Sequence, residues 1–141
     1  MTDPREEFMT SLEKALKVEE SYIQHVGVWN QNVDFMSEDT AILLPALFVE
    51  FMPIAWDRNK ERGILHGKGE VRFHIITQWQ EPADDFAAFR VSQQLLGLID
   101  GVGGPEDSFT LSYPLQTVTN HNHGEVMESI EVFEARWKRK F

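Results

Sequence analysis

The stretch Val71-Arg72-Phe73-His74-Ile75-Ile76-Thr77-Gln78-Trp79-Gln80 decides the fold class. Val71, Phe73, Ile75, Thr77 and Trp79 alternate with Arg72, His74, Ile76, Gln78 and Gln80, a period of two that predicts a strand with one buried face. Glu81-Pro82 breaks that strand. Asp84 or Asp85 then caps a helix over about 85–100, with Phe86, Phe89, Leu95, Leu96 and Ile99 as its apolar stripe. Gly101 is a natural helix stop, and Gly101-Val102-Gly103-Gly104-Pro105 reads as a flexible link.

Upstream, Pro45 introduces Ala46-Leu47-Phe48-Val49-Glu50-Phe51-Met52, a strand apolar on both faces and therefore central. Pro53 ends it, and Ile54-Ala55-Trp56 begins another. The N-terminal segment Asp3-Pro4-Arg5-Glu6 has the pattern of a helix start, with Asp3 as cap and Pro4 in the first turn. Phe8, Leu12, Ala15 and Leu16 follow at helical spacing, and the helix is predicted to end between Val18 and Glu20. Ser21 to Trp29 reads as extended, Asn30-Gln31-Asn32 as a turn, and 33–40 as a loop. Downstream, Phe109, Leu111, Tyr113 and Leu115 alternate with polar residues, and Pro114 marks an edge or a bulge. A hairpin turn is predicted at 119–124, then a last strand from Val126 to Trp137. Glu128, Glu131 and Glu134 read as its wetter positions, and their three-residue step suggests a bulge. The predicted architecture is α+β: a mostly antiparallel β-sheet with two helices packed on one face. It is read as one domain over 1–141, with a flexible arm at about 57–69 (a mobile β-arm or hairpin loop) and a basic C-terminal tail at 136–141.

A chain of 141 residues is long enough for a substantial hydrophobic core. The absence of cysteine excludes disulfide frameworks, thiolate zinc sites and cysteine nucleophiles. The polar, acidic start is not that of a signal peptide. No apolar run approaches the ~20 residues of a membrane helix, so no membrane partner is expected. The formal net charge is -10, and Arg136, Lys138, Arg139 and Lys140 crowd the last six positions. Without those four, 9 basic against 23 acidic residues leave -14 on the body. Such a body repels nucleic acid phosphates.

Each candidate for chemistry has a plainer reading beside it. His121 and His123, two apart, share a face on a strand and suit a metal. They lie in an Asn- and Gly-rich turn with no third ligand at a recognisable spacing, which favours exposed turn histidines. Asp84-Asp85 has the form of an acid/base pair, yet a helix start accounts for it through the helix dipole. Gly101 to Gly104 follows a helix and lacks the lysine of a phosphate loop. There is no nucleophile elbow and no His-Glu-x-x-His helix. No catalytic residue, cofactor or metal is therefore predicted. Trp56 and Trp137 adjoin the charged arm and the tail, where large aromatics suit either an interface or the core edge.

The order of elements carries the strongest signal. A first helix leads into Val26-Gly27-Val28-Trp29-Asn30-Gln31-Asn32. An irregular loop, the Pro45-Ala46-Leu47-Phe48-Val49-Glu50-Phe51 strand, a charged arm and a regular strand come next. A helix, a linker and a hairpin ending in Phe133-Glu134-Ala135-Arg136-Trp137 complete it. Over nearly its full length this order resembles the tail terminator, or tail completion, proteins of tailed bacteriophages and phage-like contractile devices. The resemblance implies a ring, usually a hexamer, at the head-proximal end of a tail tube. Such a ring ends tube polymerisation and meets a head-side connector or neck protein, and in contractile systems the sheath. It implies a virion protein made in the host bacterial cytoplasm, with DNA passing through unbound. It brings no catalytic residues. The acidic body agrees with a conduit that does not grip phosphate. The expected assembly contacts are Trp56, Arg58, Lys60, Arg62 and Leu65 of the arm, with Trp137, Lys138 and Arg139 of the tail. Two other readings stand beside this one: a different neck component, such as a head-completion or connector protein, and a small ligand-binding domain or metal-dependent enzyme. The last would use His74, His121 and His123 in a pocket between sheet and helix.

Overall fold

The computed structural model describes residues 3–18, 23–30, 44–61, 63–78, 86–99, 108–123 and 126–140. The expected loop at 33–40, the cap at Asp84 or Asp85 and the link at 101–105 lie outside them, as do Gln31, Asn32, Arg62 and Trp79. The elements in order are α1 (Pro4–Val18), β1 (His25–Val28), β2 (Ala46–Phe51), β3 (Ala55–Glu61), β4 (Ile64–Gln78), α2 (Ala87–Ile99), β5 (Phe109–His123) and β6 (Val126–Lys140).

The start of α1 follows from its first residues. Asp3 Oδ1 accepts the Arg5 backbone N–H at 2.9 Å, satisfying a donor that the first turn leaves without a helical partner. The Arg5 guanidinium also grips the Asp3 carboxylate, at 2.9 and 3.0 Å. Phe8, Leu12 and Leu16 then line one buried face, while Glu13, Lys14 and Lys17 stay exposed.

The strands form one sheet of order β1-β2-β4-β6-β5, with β3 paired to β4 beside β2. Only β1–β2 is parallel; every other pairing is antiparallel. The predicted α+β class, with a mostly antiparallel sheet and two helices on one face, is what the structure shows. Phe8, Leu12, Leu16, Val91, Leu95 and Ile99 from the helices meet Leu47, Val49, Val71, Phe73, Ile75, Phe133 and Trp137 from the sheet. Phe8 is the aromatic node of this core. Its ring meets Phe109 at 5.1 Å, Phe51 at 5.8 Å and Trp137 at 5.9 Å, all edge-to-face. Such pairs each add about 0.5–1.5 kcal/mol beyond burial.

Several expectations are corrected. The predicted strand at 71–80 buries both faces over 73–77, since His74 and Ile76 are as enclosed as Phe73 and Ile75. Phe48 and Trp29 account for this, closing over His74 and Ile76 on the side away from the helices. Phe86 and Phe89 do not belong to the buried stripe of α2. They are 61% and 47% exposed, and Val91, Leu95 and Ile99 at four-residue steps take the inward positions. Glu128 and Glu131 are buried rather than wet. The β6 register against β4 runs unbroken from Val126 to Lys140, so the bulges fall on β5 instead, around Pro114 and after Asn120. In a straight strand, three-residue steps place Glu128 and Glu131 on opposite faces. β5 runs on to His123, past the start of the predicted turn. The segment read as a mobile β-arm or hairpin loop is a β-hairpin of β3 and the first part of β4, turning at Gly63 with φ 78°. The expected basic tail is strand too: Arg136 to Lys140 pair with Lys68 to Ile64.

Candidate functional site

The hairpin and the end of β6 come together at one end of the sheet, as the pairing of Leu65 with Arg139 and Gly67 with Trp137 requires. Here the candidate assembly residues divide. Trp137 points inward and is 1% exposed, so its side chain belongs to the core and not to a surface. Its partner contacts are Phe8, Phe51 and Phe109. Trp56 is half-buried, and the Arg139 guanidinium lies 4.7 Å from its ring centroid. Arg139 also donates to Asp3 Oδ2 at 2.9 Å. Asp3 therefore sits between two guanidiniums, and its carboxyl is held well below the usual carboxylate range, chiefly by the hydrogen bonds from Arg5. Leu65 is half-buried and Lys138 exposed. The side chains of Arg58 and Lys60 lie outside the description, as does Arg62 entirely. The structure thus brings Trp56 and Arg139 together and withdraws Trp137.

The tight fit of this corner depends on two glycines. A Cβ on Gly67 would stand 2.7 Å from both Ile54 and the Trp56 ring, and one on Gly69 would stand 2.7 Å from the Pro53 carbonyl oxygen. Along the outer sheet face nearby, Glu134 draws together Lys68 at 3.5 Å and Arg136 at 3.8 Å, although Lys68 and Arg136 are direct cross-strand partners.

A second constellation lies further along that outer face. His74 Nδ1 is 2.7 Å from Glu128 Oε2, and Nε2 is 2.9 Å from Glu50 Oε1. Trp29 stacks on the imidazole at 3.7 Å and 4°. Asn120 Nδ2 donates to the other Glu128 oxygen at 3.3 Å. Register explains the assembly: Phe48 faces His74, Glu50 faces Arg72, and Glu128 faces Ile76, so all lie on one face of three adjacent strands. The cluster is a closed hydrogen-bond network, and both ring nitrogens are engaged. That occupies His74, one of the three histidines considered for a pocket. The side chains of His121 and His123 lie outside the description. Among the described residues no group of acidic and histidine side chains has the geometry to hold a metal.

The signal for this cluster in the chain is Glu128 beside the apolar residues Val126, Met127 and Ile130. Sequence alone reads it as a solvent position, because no partner for it is close along the chain. His74 is 54 residues away and Glu50 further still.

On the helix side, Glu131 is buried beside Phe73, and Thr117 Oγ1 donates to it at 2.6 Å. Burial pushes its carboxyl above the ordinary value, against the opposing pull of that hydrogen bond. A cleft of about 470 Å³ opens between the second half of α1 and the start of β1, lined by Glu13, Leu16, Lys17, Ile23 and His25 among others. It is distinct from the pocket that the three histidines were expected to line. Among the described residues, no helix is long and apolar enough to cross a membrane.

No protein-family model matches the sequence, and no curated protein does. Among solved structures, the fold is similar to that of a chain in the virion of a native gene transfer agent particle. The TM-score is 0.50 at 13% sequence identity, covering 94% of this chain and 92% of that one. At that identity the likeness is one of fold.

Proposed function

We propose that this protein is a non-enzymatic structural subunit of a phage-like virion and acts as a tail terminator. Copies form a ring, a hexamer in this reading, at the head-proximal end of the tail tube. The ring ends tube polymerisation and joins the tube to a head-side connector or neck protein, with a sheath protein as a further partner in contractile systems. DNA passes through it without specific binding. The subunit is made in the bacterial cytoplasm and resides in the virion.

The observation that carries this reading is the fold likeness, across nearly all of both chains, to a chain of a gene transfer agent virion. The order of elements supports the terminator role, and the acidic body supports passage of a polyanion. The His74 cluster supports a structural role, since its polar groups are turned on one another.

Electron microscopy of the purified protein, alone at high concentration and with its tube protein, tests the reading. Annular particles and a cap on the head-proximal tube end are expected. Deletion should yield tails of uncontrolled length. A protein that stays monomeric, never reaches the tube end and leaves tail length normal on deletion is not a terminator. Labelling its place in the particle separates a terminator from another neck component.

A further inference from the structure

Among the described residues, the outermost strands of the sheet are β1 and β5. Neither contains an Asp, Glu, Lys or Arg: β1 is His25-Val26-Gly27-Val28, and β5 is uncharged from Phe109 to His123. The charge lies inside, on β2, β4 and β6, and on β3, which carries Asp57, Arg58, Lys60 and Glu61. Sheets that must remain apart place charge on their edges. β3 follows that rule, and β1 and β5 reverse it in a chain of net charge -10.

Among the described strands, the exposed large apolar side chains follow the same division, while Phe86 and Phe89 form a separate exposed pair at the start of α2. Val28 on β1 is 56% exposed and Leu115 on β5 is 55% exposed, with Val118 exposed a little further along β5. Among the described residues, the cleft between α1 and β1 lies on the helix side of the β1 edge.

We propose that copies of this chain join edge to edge, the β5 edge of one meeting the β1 edge of the next. The contact extends the sheet from subunit to subunit. Strand direction fits this arrangement. β1 runs parallel to β2, and the three remaining steps to β5 are antiparallel, so β1 and β5 point in opposite directions. A rotation about an axis along the strands preserves direction, and β5 then meets the neighbour's β1 as an antiparallel pair. Length fits too. The stretch Gln116 to Asn120 holds unbroken register with β6 beyond the Pro114 bulges, and it is comparable in length to the four residues of β1. Two different edges make a heterologous contact, which closes into a ring when the rotation closes. This proposal rests on the ring reading and names its interface.

The absence of cysteine allows a direct test. Val28→Cys and Val118→Cys are made singly and together, at exposed positions, and treated with a short bis-maleimide. Native mass spectrometry of the untreated proteins is run in parallel. The double variant is expected to give a ladder ending at the ring mass, and neither single variant should link. Dimers from Val118→Cys alone would mean that β5 meets β5, which overturns the proposal. A ring mass without linkage of the double variant overturns the interface and leaves the ring reading standing. Monomer under every condition overturns both. On the cysteine-free chain, Leu115→Lys with Val118→Lys is expected to abolish the ring species while circular dichroism stays native. Rings of undiminished abundance in that variant overturn the proposal.

Discussion

At the scale of single residues, the buried polar groups set the sharpest expectations. His74 is held by Glu50 and Glu128, so His74→Ala strands two carboxylates on a largely enclosed face. Leaving a buried hydrogen-bonding group without its partner typically costs about 1–3 kcal/mol, more for a charged one. A loss of about 3 kcal/mol, set mainly by the buried Glu128 because Glu50 is partly exposed, is expected in urea unfolding. Glu131 works in the opposite sense. Burial raises its folded pKa above the unfolded value, so the native state keeps that proton to higher pH than the unfolded chain does. Stability from this group is therefore full in acid and declines as pH rises through the folded pKa. Glu131→Gln, whose amide oxygen can still accept from Thr117, is expected to raise the melting temperature at neutral pH. The gain should vanish below the carboxylate range, as thermal scans against pH will show. Asp3 has the opposite sign: its lowered pKa gives stability that is present above the ordinary carboxylate range and lost only in strong acid.

At the scale of elements, glycine positions separate permissive from constrained strands and helices. Gly97 lies within α2, and a Cβ there would meet nothing within 4 Å. Gly97→Ala should stabilise by about 0.5–1 kcal/mol through helix propensity. Gly69→Ala should destabilise and lower the melting temperature, since its Cβ would meet the Pro53 carbonyl oxygen, which side-chain rotation cannot move. Most elements were legible from local pattern. The Asp3-Pro4 start of α1, the apolar β2 run and Pro114 on an edge strand each carried their own signal. What was illegible depended on pairing between distant segments. Phe86 and Phe89 fit a helical stripe as well as Val91 does, and only the position of α2 over β4 and β6 decides which side faces in. Lys138 to Lys140 looked like a solvated tail because β strand formation there depends on His66 to Ile64 across the sheet. The expected assembly contacts were read from charge and aromatics alone. That could not distinguish Trp137, buried among Phe8, Phe51 and Phe109, from Trp56, half-buried under Arg139.

At the scale of the whole molecule, net charge gives a direct expectation. With 23 acidic against 13 basic residues, the purified protein should not retard duplex DNA in a gel at physiological salt. Of the basic residues near the end of β6, Arg139 is engaged by Asp3 and Trp56, and Arg136 lies near Glu134. The contact between Asp3 and Arg139 has a further consequence. It brings the first turn of α1 beside the last strand, 136 positions along the chain and 2.9 Å apart. The path from Asp3 to Arg139 is therefore nearly a closed loop, and packing constrains it more than the order in which its elements are joined. A circular permutant that joins Lys140 to Asp3 through a Gly/Ser tether and opens between β5 and β6 should regain the native circular dichroism. Its new ends would emerge far along the strands from the Trp56 corner, where the tether would lie.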